Sequence, residues 1–353
     1  MDRTPLDHAR LLRVKTAYTT RAVRPEAMTT LLVDAGPPRP GDLVLARVDA
    51  IGQHARIERP DGRRATLCVG DEVIVCYGAR YAPDQFEAEV PDDLGPCQLV
   101  AGGGVASRVH SKHGAMKAAT PITPLGLVAD DHGRRLNLRD WSLPVITPAA
   151  PRPPTVAVVG TAMNAGKTTA AADLIRGLRD AGHTVGAAKV TGTGAGGDAW
   201  LFVDSGASTV LDFTLAGHAT TYQLPVEEVV EVLHTLVAHL TAAGCDAIVL
   251  EVADGLFQTE TAALLRHTAF AAAVDRLVFA AADAMGACGG VEVLRARGHR
   301  VDAVVGALTA SPLAVREAVA VLDVPVLGRA DLADPRWASD LLSPAPAAVL
   351  SAG

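Results

Sequence analysis

Aromatic side chains make up only 4% of the 353 residues, too few for the stacking platforms on which single-stranded nucleic acids are read. Positive charge is also in short supply. Lys and Arg number 32 against 39 Asp and Glu, for a net charge of −7, so the basic footprint of a general nucleic-acid binder is missing. The five cysteines, Cys68, Cys76, Cys97, Cys245 and Cys288, form no CxxC pair and no metal-like spacing; scattered thiols of odd number fit buried small hydrophobes in a reducing compartment. No stretch is apolar for the roughly 18 residues that a membrane span needs. The opening MDRTPLDHARLLRVK lacks the apolar core of a signal peptide. A cytoplasmic location, with no membrane partner, is the expectation. No internal repeat and no Ser-His-Asp or Cys-His arrangement is suggested, and the spacing of HSKH (110–113) is wrong for a helical zinc pair.

What is abundant is Ala, Val, Leu and Gly, within a hydrophobic share of 49%. The clearest boundary is ITPAAPRPPT, residues 146–155, whose prolines can continue neither helix nor ladder. Residues 1–145 ahead of it read as a β-rich domain. DLVLARVDAI (42–51), ARIERP (55–60), RATLCV (64–69) and DEVIVCYG (71–78) are short runs separated by turn signals, a pattern of small barrels or sandwiches. Residues 156–342 alternate instead. Apolar runs at 156–160, 185–190, 246–252, 276–281, 302–308 and 324–328 are separated by helical patterns at 168–182 and 226–244. Such alternation predicts an α/β domain with a mostly parallel sheet.

Within that domain, VVGTAMNAGKTTAAADL (158–174) runs from a buried strand through Gly-Lys-Thr into a helix. A strand-to-helix turn of this kind aims successive backbone N–H groups and a helix N-terminus at a phosphate. The positions expected to hold the nucleotide are Thr161, Asn164, Ala165, Gly166, Lys167, Thr168 and Thr169. Lys167 would reach the β- and γ-phosphates, and the Thr168 hydroxyl would ligate Mg²⁺. Lys189 falls at the carboxyl end of the next strand, the edge where α/β sheets bind ligands. The glycine-rich TGTGAGG after it, with Thr191 and Gly192, lets backbone approach a ligand closely. Asp198 is a metal ligand or a helix cap. Glu251 ends the next apolar run, where a carboxylate can hold Mg²⁺; its bland alternative is a buried partner for Lys189. Asp254 is a further substrate contact or a plain Asp-Gly turn.

Residues 155–335 together resemble the dethiobiotin synthetase branch of the P-loop NTPases, which includes cobyric-acid-type amidases and the molybdopterin-guanine-dinucleotide adaptors. The resemblance rests on GTAMNAGKT, on KVTGTG with Val190 in place of a proline, on Asp198-Ala199 and on LEVADG. It implies ATP and Mg²⁺ as cofactors, Lys189 on the acceptor, Glu251 on the metal, and a homodimer. The adenine-reading Asn-Asp of that family is replaced by LTASP (308–312), which leaves ATP against GTP open. A second resemblance is to a P-loop family that includes D-amino-acid N-acetyltransferases. It rests on TGTGAGGDAWLF followed by DFTLAG (212–217) and implies acetyl-CoA in the loop and a site role for Asp212; a helix N-cap is the alternative reading of Asp212.

Three functions follow as expectations. In the first, ATP-dependent phosphoryl transfer or ligation on a small anionic or amine metabolite, Lys167, Lys189 and Glu251 are catalytic. The second is acyl transfer from acetyl-CoA, and the third a non-catalytic nucleotide-dependent adaptor. SRVHSKHGAMK (107–117) gathers Arg108, His110, Lys112, His113 and Lys117. It reads as a solvated basic loop, with an anion grip over the phosphate loop as the alternative.

Overall fold

A computed structural model describes residues 3–343. The N-terminal runs form strands because their apolar residues alternate. In Leu43–Val48 the residues Val44, Ala46 and Val48 face one core while Leu43 and Leu45 face another. Leu43–Val48 pairs with Glu72–Tyr77 and with Thr120–Ala129, Glu72–Tyr77 with Val105–Lys112, and Cys97–Ala101 bridges Val105–Lys112 to Thr120–Ala129. That pairing closes a ring of five strands, a small barrel with Val73, Val75, Tyr77, Leu99, Ile122 and Leu127 in its core. Short strands at Arg3–Pro5, Lys15–Thr16, Thr30–Leu32, Arg80–Tyr81 and Phe86–Glu89 extend the same sheet. The segments at 55–60 and 64–69 form a separate hairpin, Arg56–Glu58 with Arg64–Thr66.

The glycine-rich basic segment is strand where a loop is expected. Val105–Lys112 starts inside the barrel with Val105, Ala106 and Ser107 buried, then leaves it as a solvated ribbon paired with Phe86–Glu89. A strand buried at one end and wet on both faces at the other has no alternation to read. Thr120–Ala129 hides for another reason: Pro121, Pro124 and Gly126 interrupt the pattern, and the register shifts between Pro124 and Gly126.

After an irregular stretch through residue 154, Thr155–Gly160 opens a second sheet of six strands, all parallel. Their order is Thr209–Asp212, Val185–Lys189, Ala247–Glu251, Thr155–Gly160, Arg276–Ala280 and Ala303–Val305. Both faces are covered. Ala157 and Val159 pack with the helix Val226–Ala242 on one side, and Val156 and Val158 with the helix Lys167–Asp180 on the other. That helix ends as its sequence says, with Gly182 at φ 96°. Two details differ from the sequence reading. The edge strand Thr209–Asp212 is additional, and 324–328 contributes only one bridge, Val304 to Val326, because Pro325 offers the ladder no N–H. No helix among the described residues is long and apolar enough to cross a membrane.

Candidate functional site

The turn after Thr155–Gly160 is shaped by residues that only small or special side chains satisfy. A Cβ on Gly160 would stand 2.8 Å from Lys167 Cγ and 2.9 Å from the Ala280 carbonyl oxygen, so glycine there lets Lys167 fold back along the strand end. Asn164 and Gly166 both have positive φ, 63° and 97°, and Gly166 hands the chain to the helix beginning at Lys167. Ala165 is buried, and its carbonyl accepts from the Ala307 N–H at 2.9 Å. The Thr161 N–H donates to Ala280 at 2.9 Å, and Thr169 lies in the first helical turn. Lys167 is buried and donates to the Ala162 carbonyl at 2.7 Å, curling over the loop. Burial lowers its pKa, against the pull of Glu251 and Asp254.

Sheet register aligns the charged residues of the carboxyl edge. Lys189 is opposite Glu251 on one side and Asp212 on the other. The Thr168 hydroxyl donates to Glu251 Oε1 at 3.0 Å, and Lys189 Nζ lies 3.5 Å from the same oxygen. Glu251 Oε2 is buried without a partner. Lys189 also pairs closely with Asp198, in the first turn of the helix Gly196–Asp204. Burial opposes the Lys189 charge, but Asp198 and Glu251 outweigh it and raise its pKa. Burial raises Glu251 despite Lys189, and raises Asp254 despite Lys189 and Lys167. Among the described residues no group of three or more His, Cys, Asp or Glu forms a ready metal cage.

Next to this edge lies a cavity of about 520 Å³ between the two sheets. Lys189, Gly192, Asp198, Asp254 and Met163 form one wall; His54, Arg56, Arg64, Arg80 and Gln85, from the barrel side, form the other. The phosphate loop contributes only Met163 to the lining, so cavity and loop are neighbours rather than one pocket.

The glycines of TGTGAGG divide by role. Gly192 lines the cavity, at φ 137°. Gly194 and Gly196 instead serve contact with the N-terminal residues: a Cβ on Gly194 would meet Thr19 at 2.5 Å, and one on Gly196 would meet Tyr18 at 2.9 Å. Thr191 is buried, and its hydroxyl donates to the Ala253 carbonyl rather than into the cavity. Asp212 is buried away from the cavity, accepting from Tyr18 Oη at 2.6 Å, Arg21 Nη2 at 3.0 Å and the Thr214 N–H at 2.9 Å. Of the basic ribbon, Arg108 pairs with Asp93 and His110 with Glu89, Lys112 donates to Met116, and His113 and Lys117 are exposed. None of them lines the cavity.

The barrel-side wall is what sequence reasoning missed. Arg80 sits in YGARYAP with no motif spacing around it. Only the turn that brings Arg80–Tyr81 against Phe86–Glu89 carries it to the sheet edge.

No family model matches this chain, and no curated protein matches it. Solved structures similar to it include the signal recognition particle receptor FtsY from Elizabethkingia anophelis, with 13% identity over 56% of this chain and 67% of that one and a TM-score of 0.36. Others are cell division protein FtsY from Thermotoga maritima (18%, 58% and 74%, TM-score 0.36) and the signal recognition particle 54 kDa protein from Aeropyrum pernix in complex with GDP (19%, 56% and 48%, TM-score 0.37).

Proposed function

We propose that this chain is a Mg²⁺-dependent P-loop enzyme that uses ATP for phosphoryl transfer to, or ligation of, a small anionic or amine metabolite held in the cavity beside the loop. The observation that carries the reading is the Thr168–Glu251 contact beneath the loop, with the second Glu251 oxygen buried and unpartnered. A hydroxyl and one or two carboxylates are what Mg²⁺ takes from a protein when phosphate oxygens and water supply the rest, so the residues present fit the ion without a preformed cage. Thr168 and Glu251 would hold it, with Asp198 beside them. When bound, the ion neutralises charge on phosphate oxygens.

The chain's own contribution is positioning and electrostatics. Loop N–H groups and the N-terminus of Lys167–Asp180 face an anion. Lys167, now on the Ala162 carbonyl, is within a side-chain rotation of a phosphate in the loop, and burial strengthens its charge interactions there. Lys189 and Asp254 look into the cavity and orient the acceptor. Both walls keep water from the transferred group.

Thermal unfolding with ATP, GTP or acetyl-CoA, each with and without Mg²⁺, tests this. A Mg²⁺-dependent rise with ATP that is absent in Lys167→Ala is the expected result. Stabilisation by GTP alone would change the base, and stabilisation by acetyl-CoA alone would replace the reading with acyl transfer. ATP binding with no turnover for any acceptor would leave an adaptor.

A further inference from the structure

On the barrel side of the cavity one cation is left over. Arg80 is 6% exposed, yet its guanidinium makes a single hydrogen bond, from Nη2 to Gln85 Oε1 at 2.9 Å. Nε and Nη1 are buried without partners, and Arg80 has no salt bridge among the described residues. Burial pulls its pKa down to about 10, with Asp84 and Asp254 the negative groups that sustain the charge. An orphaned guanidinium inside a protein is costly unless something else meets it. Beside it the Nδ1 of His54 is also buried and unpartnered. Burial and the Arg80 charge hold that imidazole neutral, at about 4, so it adds no competing charge but offers a hydrogen bond. The opposite wall differs, since Lys189 is already matched by Asp198 and Glu251.

We propose that Arg80 is the anion anchor of the acceptor site and that the acceptor is a small metabolite carrying a carboxylate. Its carboxylate meets Arg80 and His54, and its reacting end points to Lys189 and Asp254 across the cavity. A monoanion suits the wall better than a phosphate dianion: one buried cation is unmatched, and Asp84 and Asp254 already stand near it. The volume, about 520 Å³, admits a metabolite rather than a peptide segment. The assignment of an acceptor rests on the nucleotide reading above; the carboxylate subsite itself does not.

The test uses the full chain at constant ionic strength, with succinate, glutarate and 4-aminobutyrate as probes, their methyl esters and inorganic phosphate as controls, and thermal unfolding as readout. The free acids raise the melting temperature saturably, while the esters of the acid groups and phosphate do so less or not at all. Arg80→Met abolishes the response, weakening binding roughly 30-fold or more, and leaves the ATP response of the protein intact. Arg80→Lys keeps a cation on a similar stem and weakens binding about tenfold. It decides the matter should Arg80→Met not fold. A carboxylate response unchanged in either variant, a larger response to phosphate than to the acids, or no response to any acid overturns the proposal. An acid response without any nucleotide response keeps the subsite and removes the nucleotide reading instead.

Discussion

Asp212 offers a sharp way to separate architecture from chemistry. It is 3% exposed and accepts from Tyr18, Arg21 and Thr214, so two contacts come from the N-terminal segment and one from its own turn. Burial alone would raise its carboxyl; Arg21 and the hydrogen bonds of Thr214 and Tyr18 more than reverse that and hold it below the usual range. Asp212→Ala leaves the Arg21 guanidinium, with 17% side-chain exposure, and the buried Tyr18 hydroxyl without their acceptor. Breaking a buried pair from one side costs about 3–5 kcal/mol, a large share of a total stability of roughly 5–15 kcal/mol. Asp212→Asn keeps the shape but loses the charge and one acceptor, at about 2–4 kcal/mol. Urea unfolding at neutral pH reads both. A double-mutant cycle with Arg21→Met should return a coupling of about 1–3 kcal/mol. Because Asp212 touches neither the phosphate loop nor the cavity, the ATP response of the folded variants should stay at the wild-type level. A loss below about 1 kcal/mol, or normal stability with the nucleotide response gone, would refute the anchor and return Asp212 to the site.

The parallel sheet was legible because burial on both faces writes itself as unbroken apolar runs, and each run here ends where a charged residue or glycine meets the carboxyl edge: Gly160, Lys189, Glu251. Register then puts Lys189 opposite Glu251, which no spacing along the chain reveals. The phosphate loop was legible for a different reason: its backbone path needs glycine and a positive φ at particular positions, and those needs are local. The composite wall was not legible. Arg80, His54 and Arg56 come from short, irregular segments, and what makes them a wall is the docking of one sheet on the other. The glycines that permit this docking, Gly103 and Gly194, looked like ligand-binding glycines because a close approach of backbone reads the same whether a ligand or another loop approaches. Histidines and lysines of the basic ribbon drew attention through density alone; their partners, Glu89 and Asp93, neutralise them at the surface.

Gly103→Ala would place a Cβ 2.1 Å from the Gly194 carbonyl oxygen, forcing the two loops apart; a loss of about 1–3 kcal/mol in urea unfolding is expected, together with a weakened carboxylate response. Gly166→Ala puts a Cβ at φ 97° and 2.9 Å from Gly306 Cα, so about 1–3 kcal/mol is lost and the ATP response falls with it. The last expectation concerns acid. His54 and His218 are each held neutral to about 4, by burial first and by Arg80 and Arg139 next, with Glu228 opposing at His218. Between about 6.5 and 4 the unfolded chain therefore binds a proton at each that the folded chain does not, so stability falls as pH drops through that window and this contribution levels off below it. A gap of about 2.5 pKa units corresponds to about 3 kcal/mol for each histidine. Chemical unfolding of the wild type, His54→Gln and His218→Gln from pH 7.5 to 4 checks this. The variants should lose less stability than the wild type across the window, and profiles that stay parallel throughout would mean that neither imidazole is kept from its proton by the fold.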